Sequence, residues 1–236
     1  MDGIINVYKE AGFTSFDVVA KLRGILKQKK IGHTGTLDPD AEGVLPVCLG
    51  KATKICEYLT EKDKTYQTVL HLGITTDTQD RSGNVLKEQN VEISAEELLT
   101  IIQGFAGKQR QIPPMYSALK VNGQKLCDLA RKGIEVERKA REIEIFSIDV
   151  QKIDLPFVTM EVHCSKGTYI RTLCHDIGER AGCGGCMEKL LRTKTAGFSL
   201  ENSYRLTEIE QVVKGMDEKG QSIGDILIPI DAVLHD

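Results

Sequence analysis

Residues 32–46, GHTGTLDPDAEGVLP, combine glycine, proline and acidic side chains in one short run. Proline restricts the residue before it, so the backbone of Asp38 is pushed toward an extended conformation. Glycine permits sharp turns and lets another chain approach closely. The run therefore predicts an irregular acidic loop, and the GVLPVCLG sequence that begins at Gly43 predicts a short buried strand directly after it.

The remaining chain alternates between helical and strand-like patterns. Apolar residues recur at helical spacing over 15–29, and Thr14 and Asp17 form a capping-box pattern at its start. Residues 64–73, KTYQTVLHLG, alternate in polarity with Tyr66 on the leucine side, which predicts a half-buried strand. We also expect helices over 53–61, 94–104, 124–133 and 168–182, strands over 142–153 and 157–164, and a long loop over 107–123.

These elements interleave without the regular β-α-β order of a doubly wound sheet. The pattern predicts an α+β fold with a mixed or largely antiparallel sheet. The 236 residues are enough for one substantial core. No apolar run approaches the roughly 18 residues of a membrane helix, and the N-terminus lacks a signal-sequence pattern, so we expect a cytoplasmic protein. Seven cysteines, an odd number, favour reduced thiols.

The net charge of −3 is unevenly distributed. Residues 200–236 carry eight acids and three bases, a net charge of −5, which leaves +2 on residues 1–199. Basic residues cluster in KLRGILKQKK (21–30) and again over 120–141. Such clusters permit phosphate binding, although they are equally common as solvated helix faces.

Four kinds of site are compatible with the acidic loop: a metal loop, a hydrolytic site, a nucleotide cradle and a turn without chemistry. An EF-hand loop beginning at Asp38 requires a glutamate at its twelfth position, where Leu49 stands. The CGGC of 183–186 is a single pair of cysteines, whereas zinc usually has four ligands. The chain has no P-loop or G-x-G-x-x-G motif. We therefore expect neither a metal site nor a nucleotide cradle of these kinds.

A carboxylate held in a fixed direction suits chemistry at the anomeric carbon of a sugar. Breaking a glycosidic bond creates positive charge at C1′, which an adjacent carboxylate stabilises or bonds to. A hydrolase also needs a second carboxylate, and the sequence does not say where Asp40 and Glu42 point. An aspartate that only closes a turn is the commoner case for an isolated acid-proline pair.

The run GHTGTLDPDAEGVLPVCLG resembles the signature of the TruB family of tRNA pseudouridine synthases, in which the aspartate of G-x-x-D-P is catalytic. Further segments resemble the family in the same order along residues 5–200: KTYQTVLHLGITTDTQDRSG, PPMYSALKVNGQKLCDLARKG, CSKGTYIRTLCHDIG and LLRTKTAGF.

The resemblance implies a pseudouridine-synthase fold: a central mixed, mostly antiparallel sheet flanked by helices, with an RNA-binding cleft. It implies that uridine 55 in the T loop of tRNA is detached from C1′, rotated and rejoined through C5. No cofactor is required, because the reaction involves neither redox change nor net hydrolysis.

The family's functional residues match seven positions of this sequence. The resemblance implies that Asp38 is the catalytic carboxylate, that Tyr66 lies on the flipped uracil, and that Arg171 pairs with Asp38 and keeps it ionised. Four further positions match residues that contact the substrate: His33, Lys64, Tyr169 and Leu190. The resemblance implies no metal ligand, and it gives Asp40 and Glu42 no role.

The sequence departs from the family at several points. The family's Lys-Pro-x-Gly is here Lys9-Glu10-Ala11-Gly12, and Cys127 replaces an aromatic or small residue. We expect residues 1–200 to form the catalytic domain and residues 201–236 to pack on it without a complete C-terminal RNA-binding (PUA) domain. The expected partner is the T arm of tRNA, bound by a monomer without guide RNA or membrane. The rival interpretations are a silent RNA chaperone, a guide-dependent synthase and a glycoside hydrolase.

Overall fold

The computed structural model describes residues 1–234. The strands are β1 (Gly3–Lys9), β2 (Ile31–His33), β3 (Glu42–Leu49), β4 (Lys64–Leu72), β5 (Ile74–Thr76), β6 (Val85–Glu88), β7 (Gly107–Gln111), β8 (Lys120–Val121), β9 (Gln124–Lys125), β10 (Arg141–Asp154), β11 (Phe157–Cys164), β12 (Gly185–Thr195) and β13 (Phe198–Ser199). The helices are α1 (Ser15–Leu26), α2 (Cys56–Thr60), α3 (Ala95–Gln103), α4 (Leu126–Arg131), α5 (Ile170–Arg180), α6 (Leu206–Lys214) and α7 (Ile223–Ile226). Within this described part, every helix is too short or too polar to cross a membrane.

The chain divides into two compact units. The first comprises Met1–Tyr66 and Leu191–Asp236, and the second comprises Gln67–Leu190. The chain passes from one unit to the other within β4 and again within β12.

In the first unit, β3 is the central strand. It pairs antiparallel with β1, from Gly3 opposite Leu49 to Lys9 opposite Gly43, and antiparallel with β2. It also pairs in parallel with β12, where Leu191 lies opposite Glu42. Helices α1 and α6 bury their apolar faces in a core with β1 and β3, which includes Ile5, Val19, Leu22, Val47, Ile209 and Val212.

The helix predicted over 15–29 begins where α1 begins, but α1 ends three residues earlier than predicted. The Thr14 hydroxyl accepts from Asp17 N and the Asp17 carboxylate accepts from Thr14 N, which confirms the capping box. The helix ends at Leu26 because Lys27 adopts the left-handed conformation (φ 52°). The helix predicted over 53–61 is a 3₁₀ turn at Gly50–Ile55 followed by the single turn of α2.

In the second unit, the strands lie in the order β12, β4, β11, β10, β7. Strand β10 pairs antiparallel with both β11 and β7. The burial of β4 alternates along its whole length, which confirms the predicted half-buried strand. Helix α4 is followed by Gly133, whose φ of 70° ends it as predicted.

The long loop predicted over 107–123 is wrong for its first five residues, which form β7. The sequence GKQRQ lacks apolar alternation, and its strand is stabilised by partners far along the chain. Arg110 lies opposite Glu142 in β10, and Lys108 lies opposite Glu144. Opposite charges at such cross-strand positions attract each other.

The fold class is α+β, with a mixed, mostly antiparallel sheet, as predicted. The pairing of β12 with β3 is parallel, whereas β1–β3, β2–β3, β10–β11 and β10–β7 are antiparallel. In the C-terminal segment that the sequence places after residue 200, α6 supplies Leu206, Ile209 and Val212 to the first unit's core. The last two positions of that segment, 235 and 236, lie outside the described residues.

Gly43 gives the first test of this fold. Its φ is 111°, and a Cβ there would lie 2.2 Å from the backbone oxygen of Arg192. The space that was predicted to admit another chain is thus occupied by the protein's own β12. We expect Gly43→Ala to destabilise the protein by about 1–3 kcal/mol more than Gly197→Ala, measured by urea unfolding. Gly197 is a matched control because its φ is 82° and a Cβ there meets nothing within 4 Å. Equal losses in the two variants would contradict the close approach of β12.

Candidate active site

Asp38 begins a tight turn between β2 and β3. Its carbonyl accepts from Ala41 N at 3.0 Å, so Pro39 and Asp40 occupy the two central positions. Proline is favoured at the first of these positions because its φ is already fixed there. The side chain of Asp38 is half-buried, whereas Asp40 is exposed. The turn therefore shields the side chain of Asp38 from solvent in part, whereas it leaves that of Asp40 exposed.

Both sides of the turn are anchored through the backbone. The Ser15 hydroxyl accepts from Leu37 N at 3.0 Å and donates to Leu37 O at 3.3 Å. Thr34 donates to the carbonyl of Pro46 through both its backbone N (3.0 Å) and its hydroxyl (3.2 Å). Helix α1 and strand β3 thus hold the loop that carries Asp38.

Lys9 contacts the turn through Pro39, and its side chain has no exposed surface. Its ammonium donates to the carbonyls of Phe13 (2.6 Å), Glu10 (3.0 Å) and Pro39 (3.0 Å). Burial lowers the pKa of Lys9 to about 8, against the attraction of Glu42, Asp38 and Asp40. That attraction is mutual, so the ammonium favours the ionised form of Asp38.

Arg192 is the largest fully buried side chain of the described residues. Its Nε donates to Val44 O at 2.7 Å, and its Nη2 donates to Gly35 O at 3.1 Å. The guanidinium therefore ties β3 to the start of the Asp38 loop. Sequence reasoning missed Arg192, although it lies in the LLRTKTAGF segment. Lys9 was identified only as part of the Lys9-Glu10-Ala11-Gly12 motif. The burial of Lys9 and of Arg192 cannot be predicted from the residues next to them in sequence.

His33 is the last residue of β2 and is partly buried. Its Nδ1 is buried and has no hydrogen-bond partner among residues 1–234. Burial lowers the pKa of His33, and the positive charge of Arg192 lowers it further. The neutral imidazole is therefore favoured at neutral pH, and an uncharged ring suits stacking.

Lys64 and Tyr66 are both buried residues of β4, and the burial of Tyr66 agrees with its predicted place on the leucine side. The Lys64 ammonium donates to the carbonyls of Thr60 and Lys62. These bonds satisfy carbonyls at the end of α2, which gives Lys64 a structural task. Its assignment as a substrate contact stays a prediction, as does the stacking role of Tyr66, which is 8% exposed.

In the second unit, Arg171 is buried on α5, with 4% of its surface exposed. It donates to Thr78 O (3.1 Å) and to Tyr116 O (2.8 Å), and its Nε lies 3.9 Å from the Asp80 carboxylate. The Asp80 carboxylate also accepts from Thr78 Oγ1 and from Ser82 N. An arginine on a helix is usually exposed to solvent, and a buried one needs hydrogen-bond or ionic partners. The burial of Arg171 therefore distinguishes it from an ordinary surface arginine.

The other two predicted site residues of the second unit are Tyr169 and Leu190. Tyr169 is the N-cap residue of α5, and the Gln111 side chain bonds its backbone N (2.8 Å) and its carbonyl (3.0 Å). The position of Tyr169 is therefore fixed by β7, the strand that the sequence did not predict. Leu190 is half-buried on β12.

The seven predicted residues thus lie in two groups: His33, Asp38, Lys64 and Tyr66 in the first unit, and Arg171, Tyr169 and Leu190 in the second. Among residues 1–234, no three His, Cys, Asp or Glu side chains converge in a way that could hold a metal ion. Cys183 and Cys186 are both buried, and burial raises the pKa of each thiol, to about 11 for Cys186.

Lys9 gives a pH-dependent prediction. Its pKa is about 8 in the fold and 10.5 when unperturbed, so between these values the unfolded chain binds a proton that the folded chain has released. Stability contributed by Lys9 therefore rises with pH over this window. We expect the difference in unfolding free energy between wild type and Lys9→Met to move in favour of wild type from pH 8 to pH 10. Exposed Lys54 serves as the control in Lys54→Met, and a flat difference for Lys9→Met would contradict the burial of a charged ammonium.

Arg192 gives a spectroscopic prediction. Removing its charge in Arg192→Met should raise the pKa of His33 toward the ordinary value, since Arg192 is one of the two causes of the depression. NMR titration of the His33 ring measures this directly. Lys194→Met, at an exposed position on the same strand, should leave the titration unchanged. An unaltered His33 pKa in Arg192→Met would show that the guanidinium does not act on this imidazole.

Comparisons with known proteins place the chain in a family. Residues 23–170 match the model of the TruB family pseudouridylate synthase N-terminal domain, and residues 171–235 match that of the tRNA pseudouridylate synthase B C-terminal domain. The tRNA pseudouridine synthase B of Lachnoclostridium phytofermentans is 57% identical over 98% of this chain and 76% of its own length. That of Clostridium kluyveri is 50% identical over 100% of this chain and 78% of its own length.

A solved structure agrees with these relatives. A chain in the crystal structure of a Cbf5-Nop10-Gar1 complex matches with a TM-score of 0.78 and 30% identity. The match covers 98% of this chain and 61% of that chain. The fold described above is thus a pseudouridine-synthase fold. The chain belongs to the TruB family of pseudouridylate synthases, which are isomerases.

Proposed function

We propose that this chain converts uridine 55 in the T loop of tRNA to pseudouridine. The C1′–N1 bond breaks, the uracil rotates, and a C1′–C5 bond forms. N1 gains a proton and C5 loses one, so the reaction balances without an oxidant or a cofactor. The observation that carries the proposal is the held turn at Asp38 in a chain that matches this family along its length.

Asp38 is the catalytic carboxylate of the proposal. It either attacks C1′ or takes the 2′ proton toward a glycal intermediate, and both routes need it ionised. The buried ammonium of Lys9 supports that state through its attraction to Asp38. The anchors of Leu37, Pro39 and Ala41 fix the backbone on each side, which supports a carboxylate that does not reorganise during the reaction.

The substrate must present its ribose to Asp38 outside the base stack. Flipping a nucleotide costs a few kcal/mol, which stacking on an aromatic ring offsets by roughly 1–3 kcal/mol. Tyr66 is the proposed stacking surface for the uracil and a candidate base for its C5 proton. His33 is proposed to stack in the T loop in place of the departed base, which the lowered pKa of its imidazole supports.

Arg171 is the third proposed catalytic residue, and Tyr169, Leu190 and Lys64 are proposed substrate contacts. The burial of Arg171 and its bonds to two carbonyls support a fixed guanidinium. Residues 1–200 are proposed to carry the chemistry, and the contribution of α6 to the core supports packing of the segment that follows.

The T arm is proposed as the partner, bound by a monomer in the cytoplasm without guide RNA. Exposed lysines of the segment 120–141 support contact with phosphates, namely Lys120, Lys125, Lys132 and Lys139. The seven cysteines are all free thiols, which supports a reducing compartment.

The central test is tritium release from C5-labelled uridine in a T-arm transcript. We expect Asp38→Asn to reduce release by about 1,000-fold or more, because the amide can neither attack C1′ nor take a proton. Binding of the transcript should stay within about threefold of wild type, since phosphate contacts dominate RNA affinity. Asp40→Asn is the matched control, two residues along the same turn and exposed, and it should keep its activity.

Two outcomes would contradict the proposal. Equal turnover by Asp38→Asn would remove the carboxylate from the mechanism. Free uracil accumulating in place of pseudouridine would show a hydrolase.

A further inference from the structure

Two thiols of the first unit lie in contact. Cys48 is fully buried on β3, and Cys56, the first residue of α2, is partly exposed. The Cys56 side chain packs against the buried cluster that contains Cys48. Both residues belong to one apolar cluster with Ala52, Leu59 and Phe198.

Gly32 of β2 leaves the room in which these sulfurs meet. It is the cross-strand partner of Cys48. A Cβ on Gly32 would lie 3.3 Å from the Cys56 sulfur, with Thr53 as its next neighbour at 4.0 Å. Side chains of directly opposed residues lie on one face of a sheet, about 4.5–5.5 Å apart. The Cys56 sulfur therefore takes the place beside Cys48 that a side chain at position 32 would otherwise fill.

The two thiols differ in reactivity. The interaction with Cys48 lowers the pKa of Cys56, whereas that interaction and burial raise the pKa of Cys48. Burial raises the pKa of Cys186 to about 11 and that of Cys174 to about 12. Since the thiolate is the nucleophile, the more exposed Cys56 is suited to attack and the buried Cys48 to resolve the product.

We propose that Cys48 and Cys56 form a reversible redox-modification site that accepts a low-molecular-weight disulfide such as glutathione disulfide. The Cys56 thiolate attacks one sulfur of glutathione disulfide and releases one glutathione thiolate, which takes up a proton. Cys48 then loses its proton to solvent and attacks the Cys56 sulfur, which expels the second glutathione. The protein loses two electrons and two protons as a Cys48–Cys56 disulfide forms, and the reagent becomes two thiols.

The site contacts the residue that precedes a candidate substrate residue in sequence. Gly32 precedes His33, so a disulfide that draws the Cys56 sulfur toward Cys48 removes the packing beneath β2. We infer that oxidation lowers turnover, and this second step rests on the proposed function. Small displacements of positioned groups reduce enzyme rates by up to about 100-fold, and a loss of about tenfold is expected here.

Peptide mapping tests the site without any activity assay. The full chain is incubated with glutathione disulfide, remaining thiols are alkylated, and the products are mapped by mass spectrometry. We expect a Cys48–Cys56 link in wild type. Cys48→Ser should retain glutathione on Cys56, because nothing resolves it, and Cys56→Ser should leave Cys48 unmodified, because it is buried.

Cys127 provides the matched control. It is also partly exposed, but its sulfur lies 3.8 Å from the Asp128 carboxylate instead of a second thiol. Cys127→Ser should form the Cys48–Cys56 link as wild type does. Absence of the link in wild type, or unmodified Cys56 in Cys48→Ser, would overturn the proposed site.

The activity measurement is separate. Oxidised wild type should lose about tenfold in kcat/KM on the T-arm transcript and recover it with dithiothreitol, whereas Cys56→Ser treated identically should lose nothing. A linked protein with full activity would overturn the coupling to β2. A reduced wild type that forms no pseudouridine would instead overturn the proposed function, and the mapping result would still stand.

Discussion

Two buried cations hold the loop that carries Asp38. Lys9 reaches the carbonyl of Pro39 on one side, and Arg192 reaches the carbonyl of Gly35 on the other. A buried ion without hydrogen bonds costs several kcal/mol. Displacement of the loop would therefore remove one hydrogen bond from each of these buried cations. These bonds anchor an irregular, glycine-containing segment to its neighbours, and a catalytic carboxylate requires such fixed positioning.

The second unit uses the same physical device. Arg171 is buried on α5, donates to the backbone carbonyls of Thr78 and Tyr116, and lies 3.9 Å from the Asp80 carboxylate. Gln111 fixes the residue before the helix through both of its backbone groups. In both units, a buried lysine or arginine side chain donates hydrogen bonds to backbone carbonyls of irregular segments. Loops positioned in this way combine irregular backbone with fixed geometry.

Local pattern was sufficient to predict much of the fold. The period of two in β4, the capping box of α1 and the glycine after α4 are properties of short stretches, and each was confirmed. Strand β7 was missed because it forms by pairing with β10, more than thirty residues away in sequence. The end of α1 was missed because Lys27, a residue with no special preference for it, adopts the left-handed conformation.

The candidate site was predicted in outline for a different reason. The Asp-Pro turn can be read from sequence because proline constrains its neighbour, and the family resemblance supplied the other residues. Lys9 and Arg192 were not assigned roles, because a charged residue is normally exposed and its burial depends on carbonyls from distant segments. Glycine in this run was predicted to let another chain approach closely, whereas the missing Cβ of Gly43 makes room for Arg192 of the same chain.

The central claim is that Asp38 meets the ribose of an extruded nucleotide. The most direct measurement is a crystal structure of the protein with a T-arm RNA that carries an unreactive analogue at the target uridine. We expect the Asp38 carboxylate within about 4 Å of C1′, with the base unstacked from the RNA and lying on Tyr66. A target nucleotide that remains stacked, or a ribose that lies beside Asp40 or Glu42 instead, would contradict the account.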